Sequence, residues 1–140
     1  MKEKLVLIGN GMAGIRTLEE LLKVAPDLYD ITVFGDEPCT NYNRILLSPV
    51  LAGEKKFDDI ILNREEWYRE NGITLHTGVK VMEIDRIRRK VIARDGLEAD
   101  YDRLLIATGS NPIMIPVPGV DLQGVVGFRS IKDVEAMLKS

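Results

Sequence analysis

Apolar residues cluster in a few short runs, and the spacing between them changes along the chain. Leu5-Val6-Leu7-Ile8 shows no alternation and stops at Gly9, which predicts a strand covered on both faces. Over residues 13–25 the period lengthens. Ile15, Leu18, Leu22 and Ala25 share one helical face with Leu21 beside it, while Arg16, Glu19, Glu20 and Lys23 take the other. Pro26 ends that helix. Ile31-Thr32-Val33-Phe34 reads as the next strand. Strand, glycine turn, helix and strand make a βαβ unit with a right-handed crossover.

The pattern then loosens. Residues 35–59 contain Pro38, Pro49 and Gly53, with a short helix over residues 46–51. Asn63-Arg64-Glu65-Glu66 has the form of a capping box, Asn63 capping and Glu66 reaching back. The helix it opens runs to about Asn71 and closes at Gly72. Trp67 and Tyr68 seal it onto the core. Ile73-Thr74-Leu75-His76 follows as a strand, with His76 in a structural role. Residues 79–84 and 90–94 form the arms of a hairpin. Asp95-Gly96 turns the chain, and residues 97–101 add a third arm. The basic run Arg86-Ile87-Arg88-Arg89-Lys90 is its water-facing turn. Leu104-Leu105-Ile106-Ala107 is a further buried strand. Pro112, Pro116 and Pro118 then hold the chain extended, and Ser130-Ile131-Lys132-Asp133 caps a last helix. The fold class is α/β: a parallel sheet with flanking helices and an antiparallel three-stranded β excursion.

Composition narrows the function classes. Apolar residues make up 45% and charged residues 29%, an ordinary globular balance. A net charge of −3 speaks against a nucleic-acid partner, which calls for a basic face. No apolar run reaches the roughly 20 residues of a membrane span. A single cysteine, Cys39, leaves no internal disulfide and suggests a reducing, cytoplasmic setting. One cysteine and one histidine also argue against a zinc site, so no metal ligands are expected.

The chemistry concentrates in Gly9-Asn10-Gly11-Met12-Ala13-Gly14, a G-x-G-x-x-G that follows a strand and opens a helix. Gly9 makes the tight turn, Gly11 lets a pyrophosphate approach the backbone, and Gly14 lets the helix pack close to the sheet. Backbone N–H groups at the helix start, around Met12 and Ala13, face the anion. The Met12 side chain is a filler. Asp36 and Glu37 lie about 20 residues past the glycines, at the end of the second strand, where an acid would accept from an adenosine ribose. Both remain candidates. No basic residue stands there, which favours a ribose without a 2′-phosphate.

The glycine turn, paired with Ala107-Thr108-Gly109 far downstream and with Pro112, Pro116, Pro118 and Gly119 beyond, resembles the Rossmann-like FAD/NAD(P)-binding fold of pyridine nucleotide-disulfide oxidoreductase-type flavoproteins. Within them, the stretch from Asn41-Tyr42-Asn43-Arg44 to Gly53-Glu54 is similar to the large subunits of NAD(P)H-dependent assimilatory nitrite reductases. Pro49 after Ser48 departs from ferredoxin-reductase relatives, which commonly carry lysine there. The resemblance covers essentially the whole chain.

It implies an FAD whose ADP half lies on residues 9–14 and whose ring reaches toward Asn43 and Arg44. Thr108 and Gly109 return to the cofactor, and the Val81 backbone lies near the adenine. Arg44 would pair with phosphate or polarise flavin oxygens. Cys39 alone provides no redox pair and reads as a bystander thiol in an exposed turn. The resemblance further implies a partial domain. Residues 1–119 read as the N-terminal part of the FAD-binding domain. Residues 120–140 read as a connection and helix leading toward a nicotinamide-binding domain that this chain lacks. NAD(P)H would bind in the longer parent. Siroheme and an iron–sulfur cluster would also lie elsewhere in it, since their ligation needs cysteines. The expected function is an FAD-binding portion of an NAD(P)H-dependent reductase passing electrons toward nitrite. The alternatives are a ferredoxin- or rubredoxin-reductase-like flavoprotein, or a non-catalytic nucleotide-binding module. No residue is expected to act as a catalytic acid or base. Expected partners are FAD, the rest of the parent polypeptide and a second copy in a homodimer.

Overall fold

The computed structural model describes all residues from Met1 to Ser140. The chain runs from β1 (Glu3–Ile8) through α1 (Met12–Val24) into β2 (Tyr29–Phe34). A 3-10 turn (Arg44–Leu46), α2 (Leu47–Leu51), a second 3-10 turn (Phe57–Ile60) and α3 (Glu65–Glu70) lead to β3 (Thr74–His76). Then come β4 (Val81–Asp85), β5 (Lys90–Ala93), β6 (Glu98–Asp100), β7 (Arg103–Ile106) and α4 (Ile131–Lys139).

The parallel sheet has the order β3-β2-β1-β7, and β4-β5-β6 form a separate antiparallel sheet. In the central strand β1, Val6 pairs with Thr32 on one side and Leu104 on the other. Side chains alternate along that strand. Leu5 and Leu7 bury with Ile15, Leu18, Ile31, Val33, Tyr68 and Ile73. Val6 and Ile8 bury with Phe34, Val91 and Ala93 from the other side. Both faces of β1 are therefore covered, which is why its sequence is an unbroken apolar run. All expected strands are present within a few residues, but β7, expected to be buried, is only half-buried because it forms the edge of the sheet, and Ile106 is 59% exposed.

The short helix α2 tolerates Pro49 because that residue lies in its first turn, where the missing N–H has no intrahelical acceptor to lose. The expected cap of α3 does not form. Its N-cap is Arg64, with no side-chain cap hydrogen bond. Asn63 is buried instead, its Oδ1 accepting from Asn41 Nδ2 at 2.9 Å. A tertiary partner has taken the side chain that the local pattern offered to the helix. At the other end, Gly72 closes the helix with φ +67°. The cap of α4 forms as read: Ser130 Oγ accepts from the Asp133 N–H, and the Asp133 carboxylate accepts from the Ser130 N–H at 2.9 Å.

The chain divides into two compact units. One comprises residues 1–42 and 62–109 and carries both sheets with α1 and α3. The other comprises residues 43–61 and 110–140, where α2 packs against α4 with Leu47, Val50, Ile131 and Val134 buried. No helix is long and apolar enough to cross a membrane.

Candidate functional site

In the first unit the carboxyl ends of β1, β2 and β7 meet at the glycine turn. The Gly9 N–H donates to the Phe34 carbonyl and the Ala107 N–H to the Ile8 carbonyl, each at 2.8 Å. From β1 the sheet grows through α1 to β2 on one side and takes β7 on the other. Such a change of direction is where open α/β sheets bind ligands, in the crevice beyond the strands' carboxyl ends.

The three glycines of the turn stand in three different environments. Gly9 has φ +110°, and a Cβ there would overlap the Ala107 carbonyl oxygen. A Cβ on Gly14 would meet Leu7 Cδ1 at 3.0 Å and Ala107 Cβ at 3.2 Å, so this glycine lets α1 lie close on the sheet. Gly11 has nothing within 4 Å of the Cβ position. No protein atom demands a glycine there, and the open space matches an approach route for a ligand. Gly11 is also the N-cap of α1, with no side-chain cap and no acidic residue in the first turn. Its leading N–H groups, Met12 and Ala13 among them, keep their capacity for an anion.

The two acids at the end of β2 have different surroundings. Asp36 is exposed. Glu37 is half-buried, and its Oε2 accepts from the Tyr42 hydroxyl at 2.7 Å. Backbone bonds tie this turn to the segment before β4: Gly78 N–H to Glu37 O at 3.0 Å and Val79 N–H to Gly35 O at 2.8 Å. Val81 opens β4, half-buried against the cluster that contains Phe34. Thr108 and Gly109 follow β7 and are exposed, Gly109 with φ +75°. This unit thus gathers Gly9, Gly11, Met12, Ala13, Gly14, Asp36, Glu37, Val81, Thr108 and Gly109.

Asn43 and Arg44 belong to the second unit. Asn43 caps a 3-10 turn, its side chain accepting from the Ile45 N–H at 3.1 Å. Arg44 is half-buried and donates from Nη1 to the Arg129 carbonyl at 2.6 Å. Arg129, expected only as part of the connection before the last helix, therefore holds one of the predicted site residues through its carbonyl.

Other expectations can be placed too. His76 stacks on Phe34 at 4.9 Å, a structural role. Residues 86–89 form the exposed tip of the β4–β5 hairpin. Cys39 is half-buried, not exposed, and its carbonyl accepts from Asn10 Nδ2 at 3.3 Å. No group of three His, Cys, Asp or Glu stands together as metal ligands do.

Sequence reasoning missed the polar contacts behind the turn. Tyr68 is 1% exposed, and its hydroxyl donates to Asn10 Oδ1 at 2.6 Å. A tyrosine in place of phenylalanine at a core position was the available signal, because a buried hydroxyl requires a partner.

The chain matches the family described as pyridine nucleotide-disulphide oxidoreductase over residues 3–140. Among characterised proteins, the assimilatory nitrate reductase electron transfer subunit of Bacillus subtilis is 52% identical over 98% of this chain. The nitrite reductase [NAD(P)H] of the same organism is 51% identical over 98%. The chain spans only 18% and 17% of those two relatives. Among solved structures, the NADH:rubredoxin oxidoreductase of Clostridium acetobutylicum superposes with a TM-score of 0.82 at 29% identity, over 99% of this chain and 35% of that one.

Proposed function

From the premise that the chain belongs to the pyridine nucleotide-disulphide oxidoreductase family, we propose that it is the FAD-binding portion of an NAD(P)H-dependent reductase of nitrogen-oxide assimilation, with nitrite as the terminal acceptor. The observation that carries the nucleotide reading is the glycine turn. Gly9 and Gly14 are explained by protein contacts and Gly11 by none. A pyrophosphate over Gly11 supplies the missing reason.

The residues present fit such a group. The N–H groups at the start of α1 would hold the pyrophosphate. Asp36, whose carboxylate is exposed, is better placed than Glu37 to accept from the ribose hydroxyls, because Glu37 already accepts from Tyr42. Val81 would border the adenine by its backbone, and Thr108 and Gly109 would close over the cofactor. In the second unit Arg44 would offer its guanidinium to a cofactor phosphate or ring oxygen. FAD, when bound, supplies the exchange between two-electron and one-electron transfer, while the protein's part is to bind, orient and tune. NAD(P)H and any siroheme or iron–sulfur centre would bind in other parts of a longer polypeptide, in the cytoplasm.

Nitrate is the second reading of the acceptor, because the nitrate reductase electron transfer subunit and the nitrite reductase are almost equally similar to this chain. The test is titration of the purified protein with FAD, followed by flavin absorbance and fluorescence and competed with ADP. Saturable spectral change that ADP reverses supports the reading. An unchanged flavin spectrum at all concentrations, with no displacement by ADP, contradicts it.

A further inference from the structure

Asn10, the variable residue between the first two glycines, is held from several directions. Its Oδ1 accepts from the Tyr68 hydroxyl at 2.6 Å, and its Nδ2 donates to the Cys39 carbonyl at 3.3 Å. Its Cβ lies against Gly35, where an added methyl would come within 2.8 Å. The Tyr68 hydroxyl in turn accepts from the Asn41 N–H at 3.2 Å, so it is used both as donor and as acceptor. Asn41 Nδ2 then donates to Asn63 Oδ1 just before the helix that carries Tyr68. Asn41 and Asn63 are 3% and 5% exposed. The network is a closed circuit from the glycine turn through α3 and residues 39–41 and back, out of water for most of its length.

We propose that Tyr68 is a positioning residue for the glycine turn. Its buried hydroxyl acts through the Asn10 side chain to hold the backbone of residues 9–12 in the conformation that receives a pyrophosphate. This rests on the nucleotide reading above. Helix packing alone does not explain the hydroxyl, since phenylalanine would fill the same apolar space among Leu7, Ile15 and Leu18. The hydroxyl is kept in a site where burial raises its pKa to about 12, so it remains a donor at every physiological pH. A turn fixed before the ligand arrives loses less freedom on binding, and that difference appears as affinity.

The test compares Tyr68→Phe, Asn10→Ala and the double variant, with ADP as the probe, well below each variant's Tm. Each single change is expected to weaken ADP by about threefold to tenfold, the range of one hydrogen bond's net contribution. The double variant is expected to be no weaker than the weaker single, because both remove the same link. A Tyr68→Phe variant with a lower Tm but unchanged ADP affinity would overturn the proposal, as would losses that multiply. Backbone amide order parameters of Asn10, Gly11 and Met12 without ligand give an independent readout. They should stay near the rigid value of about 0.85 in the parent and fall in Tyr68→Phe. If the parent protein fails to bind ADP, the nucleotide reading is lost. The positioning role is then decided on the order parameters alone, and unchanged values reject it.

Discussion

Gly9 and Ala107 are in such close contact that a single methyl group on Gly9 would overlap the Ala107 carbonyl oxygen. The turn after β1 and the end of β7 are thereby fixed against each other, and the crevice between them follows from that contact. A glycine series separates the structural glycines from the one facing the ligand. Gly9→Ala combines overlap with an unfavourable φ of +110° and should prevent folding, visible as loss of a cooperative melt. Gly14→Ala should lower stability by about 1 kcal/mol, overpacking against Leu7 being partly offset by better helix propensity. Gly11→Val should lower the Tm only modestly, through the lost N-cap preference for glycine, since the backbone is extended and an added Cβ meets nothing.

The acids after β2 should separate in the same way. Asp36→Asn is expected to weaken adenosine nucleotides by about tenfold with little change in Tm, the loss of a charge-assisted hydrogen bond. Glu37→Gln should act mainly on stability, through its bond from Tyr42. Calorimetric titration with ADP and a thermal melt of each variant give both quantities.

At alkaline pH the buried Tyr68 hydroxyl becomes a liability. Its pKa is raised to about 12 in the fold against about 10 in the unfolded chain, burial being the main cause. The raised value means the folded state holds the proton more tightly. Its contribution is complete below pH 10 and is lost as pH rises through 12. The difference in stability between the parent and Tyr68→Phe, measured by urea unfolding, should therefore shrink between those two pH values and be flat below them.

In the second unit, the α4 cap sets local stability. Burial tends to raise the Asp133 pKa, but hydrogen bonds from the Ser130 and Arg129 N–H groups and the Ser130 side chain outweigh it and leave it below the ordinary carboxylate value. This stabilisation is present above the unfolded carboxylate pKa and is lost as pH falls through the lower folded one. Ser130→Ala should cost about 1 kcal/mol, read as faster amide exchange in α4.

Much of this was legible in the sequence because the signals are local. The run at Leu5 is unbroken because its strand is covered on both faces, whereas the equally unbroken run at Leu104 overstates burial, since its strand lies at the sheet edge with Ile106 59% exposed. The glycine spacing carries its own geometry, and Ser130 and Asp133 cap a helix they adjoin. What stayed hidden depends on distant partners. Asn63 has the spacing of a helix cap, but its partner Asn41 lies 22 residues away. Tyr68 reads as core packing until Asn10, 58 residues distant, is beneath its hydroxyl. The role of Arg129 is hidden likewise, because its carbonyl meets Arg44 only in the folded unit. Periodicity reports which face is buried and not which polar atoms meet there.

The central claim is that the turn at residues 9–14 is an adenine-nucleotide site with Gly11 at its open face. Calorimetric titration of ADP into the purified protein and into its Gly11→Val variant tests it most directly. The account predicts saturable one-to-one binding by the parent, and none by a variant that still melts cooperatively with a Tm only modestly lower. Equal binding by both proteins, or no binding by the parent, would contradict it.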